Sequence, residues 1–256
     1  MVTEGVQRDS GVMQGVWREL AGLVLPVDCA GCGRPRTELC AQCRRALARD
    51  GRGARRVRPR SAPAGLPRVW AGAPYADEVR AVLLAHKERG ALPLAGPLGE
   101  VLAGAVRGLR PGGGPLLLVP VPSARRAVAG RGHDPVRRIA RTAAGELRRV
   151  GTGARVLAVL RQRRAVADQA GLSARQRLEN VAGALEVPDV ARRLLAGLPA
   201  VLVDDLVTTG ATLAEAARAM AVAGGRVVGA AVVAAPVSAF AAGRGGAPLR
   251  ALPQGI

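Results

Sequence analysis

The pattern of hydrophobic and polar positions predicts alternating helices and strands from Trp70 onward. Apolar residues at helical spacing predict helices over residues 77–89, 93–109, 136–150 and 211–222. Continuous apolar runs, typical of buried strands, occupy residues 115–121, 156–160, 201–203 and 226–234. Because these strands are apolar throughout and alternate with helices, we expect an α/β fold with a parallel sheet covered on both faces.

The chain before residue 69 follows a different pattern. Apolar residues at helical spacing, among them Trp17, predict an amphipathic helix over residues 11–25 that docks on the rest of the protein. Residues 44–68 hold nine arginines and a single acid, which is typical of an exposed linker. The predicted division is a helix with a cysteine segment over residues 1–48, an Arg-rich linker over 49–68, an α/β domain over 69–240 and a flexible tail over 241–256.

Charge and composition narrow the classes of function only partly. The chain carries 38 basic and 19 acidic residues, a net charge of +19, and its one lysine is Lys87. Such a charge attracts any anion, whether nucleic acid, acidic lipid or phosphorylated metabolite. The chain has two Trp, one Tyr and one Phe, so a sheet that binds single strands by stacking is disfavoured. No secretory signal or long apolar run is visible, so we expect a cytoplasmic protein without membrane insertion.

The four cysteines have the spacing Cys29-x2-Cys32-x7-Cys40-x2-Cys43. Two such CxxC pairs can place four thiolates around one Zn²⁺, and a short segment without its own core needs that metal to fold. A redox CxxC leaves the second pair unexplained, and two disulfides require an oxidising compartment. Because four cysteines close the coordination shell, we expect a structural zinc site rather than a catalytic one.

A buried strand at residues 201–203 runs into two carboxylates and a loop of threonine and glycine. Backbone N–H groups at the start of the following helix, together with the threonine hydroxyls, form a cradle for phosphate. Gly210 lets the main chain approach the anion. Because carboxylates repel phosphate, Asp204 and Asp205 suit sugar hydroxyls or a divalent cation. The segment therefore predicts a site for a phosphorylated ribose.

The string VLVDDLVTTGATL is similar to the 5-phosphoribosyl-1-pyrophosphate (PRPP) signature of type I phosphoribosyltransferases. Further motifs occur in order: Tyr75, Val79-Arg80, Lys87-x2-Gly90, LLLVPVPSARR with Arg131-Gly132, and Gln169-x2-Leu172-x4-Arg177-x2-Asn180. With the cysteine quartet, they resemble the ComF family, a phosphoribosyltransferase-like group linked to DNA uptake in competent bacteria. The resemblance covers about residues 12–236. The chain departs from it at His133-Asp134-Pro135, where the family typically has Phe-Asn-Gln.

The resemblance implies a fold and a reaction. The fold is a twisted, mostly parallel sheet flanked by helices, with a small N-terminal zinc-ribbon domain. In the reaction, PRPP loses pyrophosphate as a nucleophile attacks its anomeric carbon, and Mg²⁺ stabilises the leaving group. By the same resemblance, Asp204 and Asp205 hold the ribose hydroxyls and Mg²⁺. The 5′-phosphate binds a loop made of Thr208, Thr209, Gly210, Ala211 and Thr212.

The resemblance also places residues around the pyrophosphate. They are the turn Pro122-Ser123-Ala124-Arg125 and the Arg-rich segment 161–168 with Arg161 and Arg164. Lys87 is a further candidate binding residue, because it is the one lysine in a chain that otherwise uses arginine. The candidate catalytic residues are Asp204, Asp205, Arg125 and Arg164. Gln169, Arg177 and Asn180 are interpreted as residues that fix a loop. We interpret His86 and His133 as exposed or hydrogen-bonded rather than catalytic.

Two functions remain open at this point. The first is an enzyme that transfers a phosphoribosyl group to an acceptor the sequence does not identify. The second is a non-catalytic ComF-type accessory protein of DNA uptake that kept the sugar-phosphate site. Such a protein would contact nucleic acid through the Arg-rich linker, or dock on a protein partner such as a helicase. Because Tyr75 is an isolated aromatic residue, a base sandwich typical of purine salvage is not expected.

Overall fold

The computed structural model describes residues 28–48, 53–109, 114–123, 132–164, 166, 173–195 and 197–240. The predicted helix over residues 11–25 and the predicted tail over 241–256 lie outside these ranges. Within the described part of the chain, no helix is long and apolar enough to cross a membrane.

The described residues form α-helices and strands in alternation. The helices are α1 Ala41–Leu47, α2 Asp77–Glu88, α3 Ala95–Leu109, α4 Pro135–Arg149, α5 Ala174–Val181, α6 Asp189–Arg192 and α7 Ala211–Val222. The strands are β1 Arg55–Val57, β2 Val69–Pro74, β3 Leu116–Pro120, β4 Ala154–Val156, β5 Arg161–Gln162, β6 Leu185–Glu186, β7 Ala200–Leu206 and β8 Val227–Ala235.

Six strands form one sheet in the order β1-β2-β8-β7-β3-β4. All neighbours are parallel except β1, which runs antiparallel to β2 at the edge. Alternate side chains of the strands enter two separate cores, one beneath α2, α3 and α4 and the other beneath α7 and the small β5–β6 ladder. The expected α/β fold, with a mostly parallel sheet covered on both faces, is confirmed.

The predicted helices agree closely with the structure, and the strands agree less well. The apolar run 156–160 is a strand only at its start, because β4 ends at Val156 and the buried Val159 and Leu160 pack beneath the sheet outside the ladder. β2 was not predicted, because its residues VWAGAP combine small residues with proline and lack a strand-like run of branched side chains.

The Arg-rich segment is not an exposed linker throughout, and that prediction is wrong for Arg55–Val57. These residues form β1, which pairs with β2. Val57 is buried and also bridges Phe240. The sequence pattern did not predict this strand, because two of its three residues are arginines. An edge strand can join the core with a single inward apolar residue, here Val57.

The cysteine segment packs directly on the α/β domain. Leu47 at the end of α1 is buried in the core beneath α2 and α3. The Cα of Gly31 lies so close to α2 that an added Cβ would be 3.3 Å from the Cβ of Glu78. Arg44 forms an ion pair of 3.6 Å with Glu100 of α3. The small N-terminal unit and the larger domain therefore share packing surface.

A buried glutamate fastens α7 to the β5–β6 ladder. The carboxylate of Glu215 accepts a 3.0 Å hydrogen bond from the backbone N–H of Leu185 and two from the Arg218 guanidinium. Arg218 in turn donates to the Leu185 carbonyl at 3.0 Å. Burial raises the pKa of Glu215, but the Arg218 and Leu185 donors outweigh it and leave this pKa below its usual range. The contact sets the position of α7, the helix that begins at the threonine loop.

We expect Glu215→Ala to lower the free energy of unfolding by about 1–3 kcal/mol, because the buried N–H of Leu185 loses its acceptor. Glu215→Gln should lower the free energy of unfolding by less, since its amide oxygen still accepts that hydrogen bond. A lowered folded-state pKa gives stability above the unfolded pKa that is lost as pH falls through the folded value. The wild type's advantage, measured by urea unfolding, should therefore shrink in acid. Equal losses in Glu215→Ala and in Glu179→Ala, an exposed helix control, would contradict the assignment.

Candidate functional site

Two adjacent carboxylates lie near the carboxyl end of β7, a central strand of the sheet. The strand is longer than the predicted 201–203, because the ladder with β8 continues through Asp204 to Leu206. Asp205 is buried and Asp204 is partly buried. The backbone N–H of Asp205 donates to Asp204 Oδ1 at 2.8 Å. The carboxyl end of a central parallel strand is the usual place for ligands in α/β sheets.

The only lysine of the chain contacts this pair. Lys87 lies in the last turn of α2, and its Nζ is 2.9 Å from Asp205 Oδ2. Burial lowers the pKa of Lys87, but the Asp205 and Asp204 carboxylates outweigh it and leave that pKa raised. Lys87 therefore carries its charge at neutral pH and neutralises Asp205. The structure brings together three residues that the sequence analysis assigned to the site.

Asp204 has no cation of its own in the described part of the chain. Burial and the charge of Asp205 raise the pKa of Asp204 well above its usual range, and Lys87 offsets this only in part. When both carboxylates are ionised, the pair therefore carries more negative charge than Lys87 balances. Such a site favours a divalent cation or hydroxyl donors, which carboxylate oxygens bind.

The threonine loop follows β7 and opens α7. Gly210, with φ of 84°, is the residue before the helix. A Cβ at this position would lie 2.8 Å from Leu66 Cδ1, so both its conformation and its packing require glycine. The Thr209 hydroxyl accepts from the N–H of Ala211, while Thr208 is exposed and Thr212 partly buried. The first turn of a helix leaves N–H groups without partners in the helix, and these can bind a phosphate.

The turn after β3 lies beside the carboxylates. β3 neighbours β7 in the sheet, and the N–H of Val121 donates to the carbonyl of Val203 at 2.9 Å. Pro122 and Ser123, both partly buried, follow directly and so lie level with the Asp pair. The third candidate of this turn, Arg125, lies outside the described residues.

Arg161 and Arg164 of the Arg-rich segment lie on the β5–β6 side of the molecule. Arg161 is exposed on β5, and Arg164 donates to the carbonyl of Ala182 at 2.8 Å. This contact ties Arg164 to the turn between α5 and β6. Of the residues interpreted as fixing a loop, Gln169 lies outside the described ranges, and Arg177 and Asn180 lie on α5.

The histidine next to Lys87 is enclosed in the protein. His86 is 1% exposed and its Nδ1 hydrogen-bonds to the Ala91 carbonyl at 3.2 Å. Burial lowers the pKa of His86, so a neutral ring is favoured. Its ring centroid is 6.0 Å from that of His133. Of the two readings left open for His86, the hydrogen-bonded one is correct, and the ring helps to fix the end of α2 that carries Lys87.

The four cysteine sulfurs form a second cluster. Their Sγ atoms all lie within 4.8 Å of one another, and Cys32 Sγ is 3.7 Å from Cys40 Sγ. A tetrahedral ion with metal–sulfur bonds of about 2.3 Å requires sulfurs about 3.8 Å apart. The cluster can therefore bind a single metal ion such as Zn²⁺.

The backbone around the cysteines is shaped for closely packed sulfurs. A Cβ on Gly31 would lie 2.6 Å from Cys43 Sγ, so only glycine fits there. The N–H of Cys40 donates to Cys29 Sγ at 3.3 Å. Burial raises the pKa of the Cys29 thiol, but such backbone donors outweigh it and lower that pKa to about 6. Burial and the neighbouring sulfurs raise the pKa of Cys43, so a bound metal ion must displace the proton of this thiol.

Comparison with known protein families finds a match for the C-terminal part of the larger domain. A family model described as phosphoribosyl transferase domain matches residues 129–244. This range contains β7 with its carboxylates, the threonine loop and α7, whereas Lys87 and the cysteines precede it. No curated protein matches the chain. The α/β unit therefore has a phosphoribosyltransferase fold, and a four-cysteine cluster precedes it.

We expect Asp204→Asn to stabilise the ligand-free protein at pH 7 by about 0.5–2 kcal/mol. A raised folded-state pKa means that ionisation of Asp204 costs stability as pH rises above the unfolded value of about 4. The amide keeps the acceptor for the Asp205 N–H and carries no charge. The gain should vanish near pH 3, where the wild-type carboxyl is protonated in both states.

Denaturant unfolding from pH 3 to pH 8 measures this difference. The control is Asp189→Asn, which removes an 87% exposed carboxylate and should change stability by less than about 0.5 kcal/mol. No gain in stability for Asp204→Asn at pH 7, or a loss that persists at pH 3, would contradict the excess charge assigned to Asp204.

Proposed function

We propose that the chain binds PRPP, or the ribose-5-phosphate part of a nucleotide, and transfers the phosphoribosyl group to an acceptor with release of pyrophosphate. The observation that supports this most directly is the Asp204–Asp205 pair, which is followed at once by the threonine loop at the start of α7. A carboxylate pair beside a phosphate cradle suits a ligand that carries hydroxyls at one end and a phosphate at the other.

Each part of the site has a distinct task in this proposal. The N–H groups of the first turn of α7 and the hydroxyls of Thr208 and Thr212 bind the 5′-phosphate. Asp204 and Asp205 accept hydrogen bonds from the ribose hydroxyls. Because the loop and the carboxylates belong to one strand–loop–helix unit, they hold the ribose in a fixed orientation and lower the entropic cost of the reaction.

The reaction exchanges one bond at the anomeric carbon for another. The bond from this carbon to the pyrophosphate oxygen breaks with its electron pair, and a nucleophile of the acceptor forms the new bond and gives up its proton. Positive charge develops on the ribose ring during this exchange, and the nearby carboxylates stabilise it. Asp204 and Asp205 would hold Mg²⁺, which would supply further neutralisation of the leaving group.

Lys87 has two tasks in this scheme. In the ligand-free protein its ammonium neutralises Asp205 at 2.9 Å. Its side chain is 36% exposed, so the ammonium is also accessible to an anionic ligand beside the Asp pair. We propose that it contacts the pyrophosphate, since an ammonium binds phosphate well as a point charge.

We also infer that the cysteine cluster holds a structural Zn²⁺ and that the protein is of the ComF type. Four cysteine ligands leave no open position for substrate, so the ion has a role in folding. The arrangement that supports a ComF-type protein is the four-cysteine unit packed on α2, ahead of a phosphoribosyltransferase domain.

The alternative function, a non-catalytic accessory protein in DNA uptake that binds nucleic acid or a helicase, uses the same sugar-phosphate site. The enzyme would release pyrophosphate from bound PRPP, whereas the accessory protein would bind the sugar phosphate without turnover.

PRPP with Mg²⁺ should stabilise the zinc-loaded protein by about 2.7 kcal/mol at a concentration a hundred times its dissociation constant. Asp204→Asn combined with Asp205→Asn should abolish the shift, because the ribose and Mg²⁺ lose their acceptors. Thermal unfolding with and without ligand measures it, and ribose-5-phosphate alone shows how much the phosphate contributes. Release of pyrophosphate in the presence of nitrogenous bases then measures turnover.

A double variant at exposed acids controls for net charge. Glu179→Gln with Asp189→Asn changes the charge by the same amount at side chains that are 60% and 87% exposed, and it should keep the full shift. Binding with pyrophosphate release supports the enzyme, and binding without turnover supports the accessory function. No shift in the wild type, with zinc bound and the fold intact, would refute the sugar-phosphate site.

Removal of the metal should destabilise the whole protein, because Leu47 joins the cysteine unit to the main core. Cys32→Ser changes the one exposed cysteine and should lower the zinc content below one ion per chain. Its melting temperature should fall by at least roughly 2–4 °C, which corresponds to about 1 kcal/mol for a chain of this size. Metal analysis and thermal unfolding measure both. Ser123→Ala, which leaves the cysteines unchanged, is the control, and full zinc content in Cys32→Ser would contradict the four-ligand site.

A further inference from the structure

A cavity at the β1–β2 edge of the sheet has no part in the proposed reaction. It has a volume of about 440 Å³ and is lined by Arg56, Arg68, Trp70, Gly108 and Leu109. A volume of this size is within the range of small-molecule sites. None of its lining residues belongs to the carboxylate pair, the threonine loop or the cysteine cluster.

The strand pairing gathers three guanidinium groups on one face of this edge. Arg56 pairs with Trp70 in the antiparallel ladder of β1 and β2. Arg58 and Arg68 lie just beyond the last pair of this ladder, Val57 with Val69. Because side chains alternate along a strand, Arg56 and Arg58 share a face with Arg68 and Trp70. The opposite face carries Val57 and is buried.

These arginines lack a counter-charge in the described part of the chain. Arg56, Arg58 and Arg68 are all exposed, and no described carboxylate lies within 4.0 Å of their guanidinium groups. Like charges on facing strands destabilise a sheet. A bound anion would relieve this repulsion, and guanidinium groups bind phosphate through paired hydrogen bonds.

The indole of Trp70 gives the cavity an aromatic wall. A Cβ on Gly108 of α3 would lie 2.7 Å from Trp70 Cε3, so the ring rests directly on the helix backbone. Support from α3 holds the ring at the cavity. Bases stack on such aromatic surfaces with little sequence preference, and each stacked base contributes about 1–3 kcal/mol.

We propose that this cavity is a second ligand site, which binds a nucleotide with its phosphate on Arg56 and Arg68 and its base on Trp70. Arg58 adds to the positive potential at the phosphate side. The ligand chemistry, one base joined to phosphate, is shared by a free nucleoside phosphate and by one unit of a single-stranded nucleic acid. The test separates these two sources.

The indole itself reports on the site. The chain has two tryptophans, so Trp17→Phe leaves Trp70 as its only one. ATP, adenosine, inorganic triphosphate and a five-nucleotide single-stranded DNA are titrated into this zinc-loaded full chain. We expect saturable quenching by ATP, weaker affinity for adenosine, and loss of ATP affinity as salt rises. A dissociation constant for the oligonucleotide at least tenfold below that for ATP assigns the site to nucleic acid, and the reverse order assigns it to free nucleotides.

Three double variants decide the location. Arg56→Gln with Arg68→Gln should raise the dissociation constant at least tenfold, whereas Arg192→Gln with Arg193→Gln, exposed arginines of another surface, should leave it unchanged. Asp204→Asn with Asp205→Asn should also leave it unchanged, which separates this site from the sugar-phosphate site. The proposal is overturned if ATP causes no saturable quenching, if the Arg56 and Arg68 substitutions have no effect, or if the aspartate substitutions abolish binding.

Discussion

The charge balance at the end of β7 is the constraint on which the candidate site depends. Two adjacent carboxylates are held in a partly buried position, and one lysine, Lys87, compensates only one of them. The backbone of β7 and its neighbours β3 and β8 keeps the pair from separating. The ligand-free protein therefore stores an unfavourable interaction that a suitable ligand can relieve. Local destabilisation of this kind is typical of functional sites, whose residues serve binding at the expense of stability.

The rest of the fold positions the partners of that pair. Lys87 lies in the last turn of α2. The buried ring of His86 fixes this turn by its hydrogen bond with the Ala91 carbonyl. α7 begins at the threonine loop, and Glu215 fastens that helix to the β5–β6 ladder. Two helices on opposite faces of the sheet thus meet at one strand end. His86 and Glu215 therefore influence the candidate site indirectly, by fixing the positions of the two helices that reach it.

The sequence predicted the parts of the structure that depend on local pattern. Helices with regular apolar spacing, the buried strand β7 and the loop after it follow from neighbouring residues alone. Contacts between distant segments could not be predicted in this way. The pairing of Lys87 with Asp205 joins positions 118 residues apart, and the one sequence signal for it was that the chain has a single lysine. β1 was missed because its arginines hide the one inward residue, Val57, that joins the core.

The packing of Leu66 against Gly210 has a consequence for how the chain divides into parts. Leu66 comes from the segment between the cysteine unit and the sheet, yet it covers Gly210, the residue of the threonine loop directly before α7. Leu47 fills part of the main core, and Val57 closes the sheet edge. A chain shortened to begin at residue 69 would lack all three. The α/β domain is thus not a self-sufficient module with a removable extension, because the N-terminal region completes its core, its sheet edge and the cover of the threonine loop.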